Sequence, residues 1–330
     1  MAGFLARRFL YFAVLIVLAT SVAYVLAATQ LNPRSNFAGR NPPPAPEVVD
    51  AKLDAVNMND HRPLVLRIGH WANGLVHGDL GQTIDGGSVN DELGRRMWVS
   101  LRLLLVGSTV GTLIGVALGA YGAVKQYRPV DHVLTVAAFV LLSVPIAVLA
   151  VMVKNGGIYL NQATGNAEHP LLYTTGEITP GVPAWSWAGI TDRLAHLVLP
   201  SLVLVLIGYA FFSRYQRNAM LDVLGSDFLR TAQAKGLRRT RALVKHGLRT
   251  ALIPVATFFA YQTALLFVGQ IFVEAEFGWH GLGEWFVQSI IKNDVNAVAG
   301  VTLFVAVLVL IAGVLSDLAY AALDPRVRVR

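Results

Sequence analysis

Apolar residues in this chain gather into long unbroken blocks instead of alternating with polar ones. Six blocks contain no Asp, Glu, Lys or Arg: residues 9–28, 103–124, 133–153, 197–213, 251–273 and 295–316. A bilayer core takes about 20 apolar residues per crossing helix. Five of the blocks reach that length, and the fourth is extended toward it by Leu194, Ala195 and a neutral His196. In lipid every backbone polar group needs an internal partner, which favours helices. The short alternating segments of a membrane β-barrel are not visible. The pattern predicts an all-α polytopic membrane protein with six transmembrane helices.

The polar stretches between the blocks set a topology. Arg7 and Arg8 precede the first block, Lys125 and Arg128 follow the second, and nine Lys/Arg lie between Arg214 and Arg249. Arg326, Arg328 and Arg330 close the chain. With six spans these groups share one side, which the positive-inside rule makes cytoplasmic, with both termini inside. The segments 29–97, 154–193 and 274–294 then face outward. The first holds seven Lys/Arg, but long translocated segments follow the charge rule weakly. Trp71, Trp98, Trp185, Trp187, Trp279 and Trp285 all fall on that outer side, where indole rings anchor helix ends. Arg7 and Arg8 before an apolar run would also suit a signal peptide, but the run exceeds the usual apolar length, which favours an uncleaved span.

Composition agrees. Of 330 residues 55% are hydrophobic and 14% charged, against about 25% charged in soluble proteins. The net charge of +7 is accounted for by the cytoplasmic loops, so nucleic acid is not an expected partner. With no Cys, disulfides cannot staple the outer segments. The expected organisation is residues 1–28 as N-terminus and first helix, 29–97 as an extracytoplasmic cap, and 98–330 as a five-helix core containing a cytoplasmic loop, 214–250. Within the cap, residues 41–46 read as a polyproline spacer. Residues 48–56 suit a helix, and 61–77 show a weaker apolar period. Ser88 reads as an N-cap for a helix in which Asp91 pairs with Arg95 and Glu92 with Arg96.

Two features inside the blocks concern packing. Gly107, Gly111, Gly115 and Gly119 recur every four residues and form one small-residue ridge for close helix approach. Pro145, Pro200 and Pro254 each remove a helical hydrogen bond and are expected to kink their helices.

Other chemistry is missing from the sequence. No phosphate-cradling Gly-x-x-x-x-Gly-Lys loop is present, and no Gly precedes any Lys. No His pair has zinc spacing, no nucleophile elbow appears, and the blocks hold no carboxylate for proton or sodium coupling. The chain is expected to need no metal or cofactor of its own and to catalyse no covalent step.

The loop 214–250 is the most informative stretch. Gly225 is expected to end the helix that leaves the fourth span. Ser226 is placed as an N-cap, and Asp227 adds negative charge to the first turn. Lys235 stands in the last turn, and Gly236 is a natural C′ residue. Phe228, Leu229 and Ala232 share one face of this short helix, which alone would be marginal and needs either a partner groove or a lipid surface. Thr240 is placed to cap a second helix returning to the membrane.

Arg230-Thr-Ala-Gln-Ala-Lys-Gly-Leu237 resembles the EAA loop of binding-protein-dependent ABC importer permeases, in the oligopeptide and dipeptide branch. Arg230 stands where other branches carry Glu. Five further motifs in the same order are similar to that branch: Arg7-Arg8 directly before the first span, as in its B-type subunits; Gly78-Asp-Leu-Gly81; Ser143-Val-Pro145; Val273-Glu-Ala-Glu-Phe-Gly-Trp-His-Gly-Leu-Gly283, with His280 where Pro is commoner; and Leu323-Asp-Pro-Arg326. The resemblance implies a type I importer fold and transport of peptide by alternating access. The implied partners are a second, C-type permease subunit, two ATPase subunits that bind ATP and Mg, and an extracytoplasmic peptide-binding protein. The residues implied to contact the ATPases are Ser226, Asp227, Phe228, Leu229, Arg230, Ala232, Lys235 and Gly236. A permease for dipeptides, nickel or another small solute shares the loop pattern. A carrier or channel working without ATPases is the alternative of another class.

Overall fold

The computed structural model describes residues 2–38, 41–42, 44–166, 170–183 and 185–323. The side chains of residues 2–9, the motif residues Arg7 and Arg8 among them, and of 257, 260 and 261 lie outside that description, as do the whole motif residues Asp324, Pro325 and Arg326 and the C-terminal Arg328 and Arg330.

Thirteen helices follow one another among the described residues: α1 (Ala2–Gln30), α2 (Ser35–Ala38), α3 (Pro46–Ala55), α4 (Leu64–Val76), α5 (Val89–Val124), α6 (Pro129–Ser143), α7 (Ile146–Ala163), α8 (Trp187–Leu224), α9 (Asp227–Ala234), α10 (Arg239–Ala242), α11 (Arg249–Phe277), α12 (Leu282–Ile291) and α13 (Val295–Leu323). A π-helical segment, Leu243–Leu248, joins α10 to α11. The described β pairing is one isolated bridge, Gln82 to Ser88.

Helices α1, α5, α8 and α13 are each long and apolar enough to cross a membrane. Helix α11 spans 29 residues and contains the predicted fifth block. The third block is not one helix. Pro145 does more than kink a span: it separates two helices bent by 110°. Proline has no N–H and drives the preceding residue out of the helical region. Val144 is accordingly extended, at φ −88° and ψ 124°, and α7 starts directly after Pro145. Pro200 and Pro254, by contrast, sit inside the continuous helices α8 and α11.

The chain divides into two compact units, residues 1–100 with 280–310, and residues 101–279 with 311–330. In the first unit the segment 29–97 is folded, and its core is not its own. Tyr24 of α1 stacks on Trp71 of α4 at 4.8 Å. Around them are buried Phe37, Leu53, Met58, Val295 and Ala299. Asp294 caps α13 by accepting from the amide of Ala297 at 3.0 Å. Its other oxygen accepts from the amide of Ile84 at 2.8 Å, and Asn296 donates to the carbonyls of Val56 and Gln82. The segment 29–97 is therefore completed by α1 and by residues 280–310. Ser88 Oγ accepts from the Asp91 amide at 3.3 Å and starts α5. Glu92 takes both Arg95 and Arg96, in place of the expected Asp91–Arg95 pairing.

The tryptophans also divide. Trp98, Trp185 and Trp187 are exposed, as surface anchors require, but Trp71, Trp279 and Trp285 are buried in the protein.

In the second unit α8 is the central element, packed by α6, α7 and α11. Ser186 starts it by accepting from the Gly189 amide at 3.0 Å. Arg249 of α11 donates to the carbonyls of Ala322 and Leu323 and so satisfies the last turn of α13.

Candidate functional site: the loop helix and the seam above it

Helix α8 ends at Leu224, and Gly225 and Ser226 turn the chain into α9. Ser226 occupies the N-cap position with extended backbone, but its hydroxyl does not cap the helix. It donates back to the Val223 carbonyl at 2.6 Å and ties the turn to the end of α8. The opening of α9 thus relies on Asp227, which complements the helix N-terminus.

The far end of α9 is closed as its sequence indicates. Gly236 has φ +89°, its amide donates to the Gln233 carbonyl at 2.9 Å, and the Leu237 amide donates to the Ala232 carbonyl at 3.2 Å. These are the two bonds of a Schellman motif, which needs a residue with positive φ at C′. Arg238, not Thr240, holds the next N-cap position. The chain then runs through α10 and the π turn into α11.

The apolar face of α9 splits. Leu229 is buried, at 1% exposed, against Met220 and Val223 of α8, Ala123 of α5, Ala242, Leu243 and Ala251, and Ala232 packs partly on the same cluster. The wider π turn puts both Leu243 and Gly247 on this inner side. Phe228 points the other way and is 43% exposed, and Val244 of the π turn is 63% exposed. Hence Leu229 and Ala232 fasten α9 to its own chain. Phe228, Arg230 and Lys235 remain outward, beside exposed Arg238, Arg239 and Arg241. Asp227 and Arg230 form an open pair at 3.6 Å, with side chains 95% and 76% exposed, too solvated to hold the helix. The periodicity places Phe228 and Leu229 close enough on the helix to suggest one face; only the packing partners separate them.

Above the loop, the four glycines of α5 form a seam with α8. A Cβ on Gly107 would stand 2.5 Å from that of Leu204. One on Gly111 would meet the Val205 backbone at 3.1 Å, and one on Gly115 would be 2.8 Å from the Cβ of Phe212. Gly119 lies directly against the Ser213 carbonyl. Where the seam ends, Arg217 of α8 reaches Asp131 at the start of α6, with Nε to Oδ1 at 2.6 Å and Nη2 to Oδ2 at 2.8 Å. The sequence alone places Arg217 only in the cytoplasmic charge bias. The available signal is Asp131, an acidic residue two positions after Pro129 at the edge of an apolar block.

Residues 111–329 match the family of binding-protein-dependent transport system inner membrane components. Over 329 residues, covering all of both chains, the protein is 52% identical to the oligopeptide transport system permease protein OppB of Mycobacterium tuberculosis (strain ATCC 25618 / H37Rv). It is 33% identical to the oligopeptide transport system permease protein AppB of Bacillus subtilis (strain 168), over 83% of each chain. It is 32% identical to the dipeptide transport system permease protein DppB of Escherichia coli (strain K12), over 81% of this chain and 82% of that one. With the family's region covering Gly111, Gly115 and Gly119 of the seam, α9, and the helices that carry Pro200 and Pro254, this chain belongs to the binding-protein-dependent transport system inner membrane components.

Proposed function

We propose that the chain is one of two permease subunits of an ATP-binding-cassette importer that moves oligopeptides inward across the cytoplasmic membrane by alternating access. Its partners in this reading are a second permease subunit, two ATPase subunits beneath the loop, and an extracytoplasmic protein that delivers peptide. ATP and Mg are bound by the ATPases, and this chain supplies half of the pathway and one mechanical link. Both termini and α9 lie on the cytoplasmic side.

The observation that carries the reading is the construction of α9. Its inner face is fastened to α5, α8 and the π turn through Leu229, its end is fixed by Gly236, and Phe228 is left outward. A short helix held this firmly and presenting an aromatic side chain suits docking into a groove on another protein. Oligopeptide is favoured over dipeptide or nickel because the full-length likeness is to an oligopeptide permease.

Purification of the tagged chain in detergent tests the assembly. The second permease and the ATPases are expected to co-purify, with ATP turnover raised by the peptide-loaded delivery protein. A chain that purifies alone and transports without ATPases would be a carrier of another class.

A further inference from the structure

We propose that Asp131 and Arg217 are the positioning pair through which movement of the loop helix passes into α6, a role that rests on the function proposed above. Asp131 is 1% exposed and accepts a two-pronged bond from Arg217. Its Oδ2 also accepts from the Tyr127 amide at 3.0 Å, which fixes the turn between α5 and α6. Asp131 is buried while the Arg217 side chain stays 22% exposed, so loss of Arg217 strands a buried carboxylate.

The placement gives the pair its role. Leu229 of α9 is buried in one cluster with Met220 and Val223 of α8, and Arg217 lies one turn before Met220 on the same helix. Helix α9 also packs on α10 and the π turn, and it follows α8 after only Gly225 and Ser226, so a displacement of α9 reaches the end of α8 directly. The glycine seam ties α8 to α5, while α6 is held by Arg217 and by Tyr209, whose hydroxyl donates to the Leu134 carbonyl at 2.9 Å. Arg217 is the tie nearest the loop. Because α6 is the first half of the helix pair broken at Pro145, movement received there changes the angle of a jointed element.

The test uses the complete transporter in proteoliposomes, with the native complex first shown to couple ATP turnover to peptide uptake. If the native complex fails that control, the functional reading has failed, independently of the pair. In Asp131→Ala, ATP turnover is expected to stay within about twofold of native while uptake falls about tenfold. The exchanged variant Asp131→Arg with Arg217→Asp should regain at least half of native uptake. Should Asp131→Ala not assemble, Arg217→Lys decides, since it keeps the charge but loses the fork; it is expected to assemble and to lose uptake about tenfold with turnover kept. Native uptake in Arg217→Lys, or uptake and turnover falling together in proportion to assembly, would overturn the proposal.

Discussion

Gly111 on α5 and Gly208 on α8 face each other with no side chain between them: a Cβ on Gly208 would stand 3.1 Å from the Cα of Gly111. One turn further, Gly115 meets Phe212 and the Tyr209 carbonyl just as closely. Lipid tails give apolar helices little reason to associate, so contact of this kind is what holds them. Gly115→Leu is expected to separate the helices, at a cost of about 1–3 kcal/mol or more for overpacking. Detergent-stable complex should fall in yield and lose thermal stability. Native yield and melting temperature in that variant would contradict the seam.

At the loop, Gly236→Val should be damaging, because φ +89° is costly for a β-branched residue. It should leave membrane insertion intact while lowering ATPase co-purification and peptide uptake. Phe228→Ala separates docking from folding. Since Phe228 is outward, its removal should weaken ATPase binding without altering the stability of this chain. Ala232→Glu is expected to fail on both counts, because Ala232 packs on the chain's own core. Equal stability loss in Phe228→Ala and Ala232→Glu would argue against this division.

The unit of residues 1–100 with 280–310 should be acid-sensitive. Arg34 donates to Asp50 at 2.6 Å and to Asp60 at 2.7 Å, and these bonds hold both carboxyls below their ordinary value. A depressed carboxylate contributes stability above its unfolded pKa, and that stability is lost as pH falls through the folded pKa. Arg34→Ala should therefore melt lower than native at neutral pH, and the gap should close below about pH 4. A gap independent of pH would mean that the pairs contribute nothing.

Orientation can be read by thiol labelling, since the chain has no Cys. In intact cells Asp85→Cys, at an exposed site of the segment 29–97, should react with an impermeant reagent. Gln233→Cys, on exposed α9, should not. The reverse pattern would invert the topology.

Much of this arrangement is legible in the chain because its signals are local. Long uncharged blocks define apolar helices, Gly225 and Gly236 bound α9, and glycines four apart define a ridge. What stays hidden depends on partners distant in sequence. The cap is closed by Val295 and Ala299, which read as part of a span. Leu229 turns inward because Met220, Ala242 and Leu243 lie behind it, and Asp131 finds Arg217 eighty-six positions away. Pro145 is an intermediate case: its chemistry announces a disturbance, but a kink and a 110° break begin from the same missing hydrogen bond.

The most direct measurement is uptake of a labelled oligopeptide into proteoliposomes holding this chain, the second permease, the two ATPases and the delivery protein. The account predicts uptake that requires hydrolysable ATP, stops when the ATPases are omitted, and is unaffected by collapsing proton and sodium gradients. Uptake that persists without ATPases, or follows an ion gradient, would contradict it.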